Sequence, residues 1–124
     1  MATNGLGRTR WAIPEGYIPP GSHGPPELLS HETACLLNTN DADAHVRLTI
    51  YFSDREPLGP FEITVPARRT LHLRFNDLRD PGQIPEGVDY SSVFEADLPI
   101  VVQHTRLDSR QSEEALLSTI AYSQ

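Results

Sequence analysis

Strict alternation is the firmest signal along the chain. From Val46 to Ser53 the even positions are Val, Leu, Ile and Phe, and the odd ones Arg, Thr, Tyr and Ser. That is the period of a half-buried β-strand. Phe61–Val65 repeats it, and so does Arg69–Phe75, with Leu71, Leu73 and Phe75 on one face and Thr70, His72 and Arg74 on the other. Such segments predict an antiparallel sheet with one face toward a core. Two further runs, Thr33–Leu37 and Leu98–Val102, are apolar on both faces. They predict strands covered on two sides, within a sandwich or against a neighbouring subunit. Ser92–Ala96 and Arg10–Ile13 are shorter strand candidates. Pro99 is expected at the beginning of its strand, where a missing N–H does no harm.

The C-terminal stretch admits two readings. Ser112 followed by Glu113 and Glu114 offers a helix N-cap with acids in the first turn, whereas Leu116–Tyr122 reads as a strand returning beside residues 99–106. Between the periodic segments the chain is punctuated by proline. Residues 14–30 hold five prolines and three glycines, Asn76–Asp89 forms a second long loop, and Ser53–Pro60 is a shorter hairpin-like connection. About eight short strands separated by such loops predict an all-β, antiparallel β-sandwich of jelly-roll type, with a C-terminal segment that could turn helical. The 124 residues suit one domain, 1–124, with an ordered core over about 8–122 and an N-terminal tail at 1–7.

Composition narrows the chemistry. The chain carries a formal charge of −7, and all ten of its basic residues are arginine. Without lysine there is no Schiff base, no phosphate-loop lysine and no Ser–Lys dyad. A single cysteine excludes an intrachain disulfide and a thiolate zinc cage. No apolar run approaches the ~18–20 residues that span a bilayer, and the first residues lack the apolar core of a signal peptide, so a cytoplasmic protein is expected. The acidic balance argues against bulk nucleic-acid binding.

Candidate sites are sparse. His72 and His104 could share a metal if their strands were neighbours, but no HxH or HExxH spacing supports it, and hydrogen-bonded surface histidines are the plainer account. Cys35 sits in an apolar run as an inert buried residue. No serine lies in a nucleophile elbow. No metal, no cofactor and no enzymatic activity are expected. Arginine is the more unusual feature: residues 66–79 carry Arg68, Arg69, Arg74 and Arg79 against one acid, Asp77, and Gln103–Gln111 adds Arg106 and Arg110 around Asp108. Guanidinium forks grip carboxylates, phosphates and vicinal hydroxyls. His31, Glu32, Arg68, Arg69, His72, Arg74, Gln103, Arg106, Asp108 and Arg110 are thus candidates for an anionic or carbohydrate-like ligand. The competing account is ion pairing between strands or subunits, with Asp77, Asp108 and Glu32 as partners.

These segments also resemble the sensory rhodopsin transducer family of small bacterial proteins. The matching words include Trp11-Ala12-Ile13, Glu15 through Pro20, Ser30-His31-Glu32-Thr33, Val65 through Thr70, Arg74 through Leu78, Pro99 through Gln111 and Ala115 through Tyr122. The resemblance spans roughly residues 8–122. It implies a β-sandwich protomer in a planar four-fold homotetramer, with one flat face and an opposite face carrying a long loop within Glu15–Ser30 and the C-terminus. It further implies a non-enzymatic protein that binds the cytoplasmic side of a microbial sensory rhodopsin and relays its light signal. Glu15, Tyr17, Ile18, Pro19 and Pro20 would form the partner-binding loop, presenting an apolar extended segment. A module for a polar small molecule is the second expectation, and transcription-related DNA binding through the 66–79 arginines the third.

Overall fold

The computed structural model describes residues 5–20, 31–108 and 115–124. Eight strands account for its regular structure: β1 Arg8–Ile13, β2 His31–Asn38, β3 Ala44–Phe52, β4 Leu58–Val65, β5 Arg69–Arg74, β6 Tyr90–Asp108, β7 Ala115–Ile120 and β8 Tyr122–Ser123. A 3-10 turn, Phe75–Asp77, follows β5. Among the described residues all strand pairings are antiparallel. The expected all-β antiparallel sandwich is what the chain forms.

The 19-residue β6 organises the molecule. Its first half pairs with β3 and β1 in a sheet ordered β4-β3-β6-β1-β8, and its second half pairs with β2 and β7 in a sheet ordered β5-β2-β6-β7. The two sheets share one core, in which Val46, Leu48, Phe61 and Phe94 of the first meet Leu36 and Val102 of the second, all essentially inaccessible to solvent. Apolar burial on this scale is the main favourable term holding the layers together.

Ser92–Ala96 and Leu98–Val102, read from sequence as separate strands, are two parts of β6. Pro99 therefore lies inside a strand instead of at its start. It occupies the crossing point: Ala96 pairs with Val46 and Ile100 with Arg8, while 97–99 have no registered partner. A residue without an N–H costs nothing where the ladder is already interrupted. The Pro99 carbonyl is satisfied by Asn40 Nδ2 at 2.7 Å. Of the two readings of the C-terminal stretch, the strand is the one found over Ala115–Ile120; residues 112–114, the expected helix start, lie outside the described residues.

Polar alternation is also used on the outer surface. Across the first sheet, Glu62, Arg47, Glu95 and Arg10 stand in one row, each opposite its neighbour, with Arg47 and Glu62 3.4 Å apart. Alternating signs in a cross-strand row are the favourable arrangement. The second sheet differs. Its inner positions Ala34, Leu36 and Val102 are fully buried, but on its outer face Cys35 and Val101 are half-buried, and Leu37 and Ile120 are 38% and 62% exposed. The double apolar coverage expected for residues 33–37 and 98–102 is thus present on only one side of this chain.

Candidate functional site

Glu32 is the most unusual residue of the structure: a carboxylate with no solvent exposure at the start of β2. It lies on the inward parity of its strand, with Ala34 and Leu36. Ionised groups are tolerated at such positions only when their charge is matched and their lone pairs filled. Here both conditions are met. His104 Nε2 lies 2.7 Å from Oε2, the Arg106 Nε and Nη2 groups donate at 3.3 and 3.2 Å, and the Tyr17 backbone N–H donates to Oε1 at 2.5 Å. The Glu32 N–H in turn donates to Asn76 Oδ1 at 3.2 Å.

Strand register builds this cluster. Glu32 pairs directly with Arg106, and Ala34 with His104, so the second half of β6 delivers both side chains to the same inner edge. Burial alone would raise the Glu32 pKa; hydrogen bonds from His104, Arg106 and Tyr17, with the charge of His104, outweigh it and hold the carboxyl below its ordinary value. Burial likewise works against the Arg106 charge, yet hydrogen bonds to Glu32 and Glu15 raise its pKa further. Tyr90 closes the cluster from the first sheet. Its hydroxyl is buried without a hydrogen bond of ordinary geometry among the described residues, and burial plus the nearby Glu32 charge raise its pKa.

Arg106 also reaches outward, its Nη2 donating to Glu15 Oε2 at 2.5 Å. Residues 15–17 are thereby strapped across the end of the sandwich. The strap is held elsewhere by Tyr90 N–H to Gly16 O at 3.0 Å and Gly87 N–H to Ile18 O at 2.9 Å. Gly16 is needed for this approach, because a Cβ there would come within 2.5 Å of the Tyr90 ring. A cleft of about 310 Å³ opens beside the cluster, lined by Glu15, His104, Arg106, Ser118 and Thr119.

The other sequence-derived candidates are scattered. His72 and Gln103 flank Cys35 on the outer face of the second sheet, and Arg74 lies opposite Thr33 on that face. The sheet itself separates them from Glu32, His104 and Arg106. His72 and His104 consequently face opposite sides and cannot share a metal, and among the described residues no cluster of metal-ligating side chains occurs. Arg68 sits in the turn before β5, 3.9 Å from Asp41, and Arg69 donates to the Arg68 carbonyl at 3.0 Å. His31 pairs with Leu107 at the start of β2. The Asp108 side chain and Arg110 lie outside the described residues. In the expected partner-binding loop, Ile18 is 2% exposed and Pro19 is buried, so their apolar surface joins the core instead of facing outward; Glu15 and Pro20 are exposed and Tyr17 half-buried. Ser118, Thr119, Asn76 and Tyr90 carried no sequence signal, being ordinary polar residues until the register assembles them.

Fold and cluster together define a class: an all-β sandwich whose polar interior pins a surface strap. The chain belongs to the Anabaena sensory rhodopsin transducer family, which it matches over residues 6–123. A solved structure, the Anabaena sensory rhodopsin transducer, is 61% identical, with a TM-score of 0.74, covering 81% of this chain and 98% of that one. The crystal structure of Thermotoga maritima 1070 is 37% identical, with a TM-score of 0.86, covering 95% and 96%. No curated protein matches the chain. Among the described residues, no helix is long and apolar enough to cross a membrane.

Proposed function

We infer that this protein is a non-enzymatic, cytoplasmic signal transducer that works as a homotetramer, binding the cytoplasmic face of a microbial sensory rhodopsin and relaying its light signal. The observation that carries this reading is the family match over residues 6–123, joined to 61% identity with a structure named as such a transducer. The role itself is a transfer by homology from that protein.

Physical features of the chain support it. The uncovered outer face of the second sheet, with Leu37, Val101 and Ile120, is the apolar surface that a neighbouring subunit would bury. A tetramer of chains each carrying −7 has a strongly negative field, suited to receptor loops, which on the cytoplasmic side are rich in Arg and Lys. The exposed end of the strap, Glu15 and Pro20 with the rim of Tyr17, would meet the receptor. Signalling then requires a difference in binding energy between the dark and illuminated receptor.

The test is calorimetric titration of the protein into a cognate sensory rhodopsin in lipid nanodiscs, in darkness and under illumination. The expected result is binding in at least one state, different affinity in the other, and weakening with salt. Absence of binding in both states would remove the receptor role and leave the fold untouched.

A further inference from the structure

We propose that the cleft between Glu15 and β7 is a binding site for a small organic monocarboxylate, with Arg106 as its anchor and Glu15 as an internal occupant that the ligand displaces. A guanidinium can grip two carboxylates, one on each edge of its planar fork. Arg106 uses its Nε–Nη2 edge for Glu32, which has no solvent exposure, so the group is fixed in place from behind. The other edge is only half used: Nη2 donates to Glu15, and Nη1 finds no acceptor among the described residues. This edge belongs to a side chain that is 22% exposed and lines the cleft.

Glu15 has the character of a placeholder. Its side chain is 67% exposed, and Arg106 is its one hydrogen-bonded partner among the described residues. Exposed ion pairs of this kind are weak and are readily exchanged. A carboxylate ligand that replaced Glu15 one for one would leave the charge around Arg106 unchanged, because the Glu15 carboxylate would move into water. A doubly charged phosphate would add repulsion from Glu32, which argues for the singly charged, planar group.

The remaining walls suit such a ligand. His104 spends Nε2 on Glu32, and Nδ1 is without a partner among the described residues. It can meet a polar substituent next to the carboxylate, as can the hydroxyl of Thr119, which pairs with His104 and also lines the cleft, whereas the Ser118 hydroxyl is taken by Gln103 and Thr105 on the outer face. The volume, about 310 Å³, lies at the small end of the range for ligand pockets. This inference shares Glu15 with the receptor reading, but its test uses the chain alone, so it can fail or succeed without the receptor.

The test uses the full chain with benzoate as probe and benzamide as its uncharged isostere, followed by amide NMR or calorimetry. Wild type is expected to bind benzoate in the millimolar range and to ignore benzamide. Glu15→Gln, which removes the competing carboxylate, should bind benzoate about three- to fivefold more tightly. Glu62→Gln, which removes a charge from the outer face of the first sheet, should leave the affinity unchanged. Equal affinity in wild type and Glu15→Gln overturns the proposal. So does equal binding of benzamide, an equal gain in Glu62→Gln, or no benzoate binding to Glu15→Gln.

Discussion

Arg106 stands directly opposite Glu32 in the antiparallel pairing of β2 with β6, and its guanidinium closes on the buried carboxylate with hydrogen bonds of 3.2 and 3.3 Å. The two residues are 74 positions apart in the chain. Around this pair the strap, the 3-10 turn and both sheets converge, so its loss should be felt well beyond the two side chains.

Removing the carboxylate leaves the Arg106 guanidinium partly buried without its counter-ion and His104 Nε2 without its charged partner. Glu32→Gln is therefore expected to lower the unfolding free energy by about 3 kcal/mol. Glu15→Gln, which breaks only the exposed half of the network, should cost less than about 1 kcal/mol. Urea unfolding of the two variants beside wild type measures the contrast, and equal effects would contradict the burial argument.

The pH dependence follows from the direction of the Glu32 shift. Its pKa in the folded protein lies below the ordinary value of 4.5, so the folded state holds the ionised form more tightly than the unfolded chain does. The resulting stability is fully present above about pH 4.5 and is lost as pH falls through the folded value. Glu32→Gln should flatten that part of the acid limb. Chemical unfolding between neutral and acid pH, for both proteins, reads the difference in slope.

Trp11 is the chain's single tryptophan, 6% exposed, with Nε1 donating to the carbonyls of Arg8 and Ile100 at 2.9 Å each. Trp11→Phe removes the donor and leaves the Ile100 carbonyl buried without it, at an expected cost of roughly 2–3 kcal/mol. In wild type the indole should emit at short wavelength and shift red on unfolding in one step with the loss of β-sheet circular dichroism. Separate midpoints for the two probes would mean that β1 leaves the sandwich before the rest.

Leu37 and Ile120 mark the uncovered face of the second sheet. If a neighbouring subunit lies there, the native protein should scatter light as a particle of roughly 55 kDa, four chains of 13.8 kDa. The double variant Leu37→Asp/Ile120→Asp should then fall to the single-chain mass while keeping its β-sheet spectrum. A native mass already equal to one chain would contradict the assembly.

Legibility from sequence was uneven for reasons that can be named. Alternation gave β3 and β5 nearly to their ends, because β3 buries one face and wets the other and β5 half-buries Leu71 and Leu73 against exposed Thr70 and His72. β6 was split at Pro99, since a proline signals a boundary unless the ladder is already broken for another reason. Glu32, Arg106 and Gln103 could be named as polar candidates. The parity that groups Glu32 with Ala34 and Leu36, and His104 with Val102, was available in the sequence and is the signal that separates the inner cluster from the outer residues.

By itself, then, the chain's alternation determined that it would form a two-layered antiparallel sandwich, and its residue types ruled out lysine chemistry, an intrachain disulfide and a thiolate zinc cage. Pairing register and layer order were decided only in three dimensions, because a strand's partner depends on contacts among residues far apart in the chain. That is why Glu32 met Arg106 and His104 on one side of the second sheet while His72, Arg74 and Gln103 were left on the other. The same packing drew Ile18 and Pro19 inward: an apolar loop segment next to an open core edge gains more by burial than by exposure.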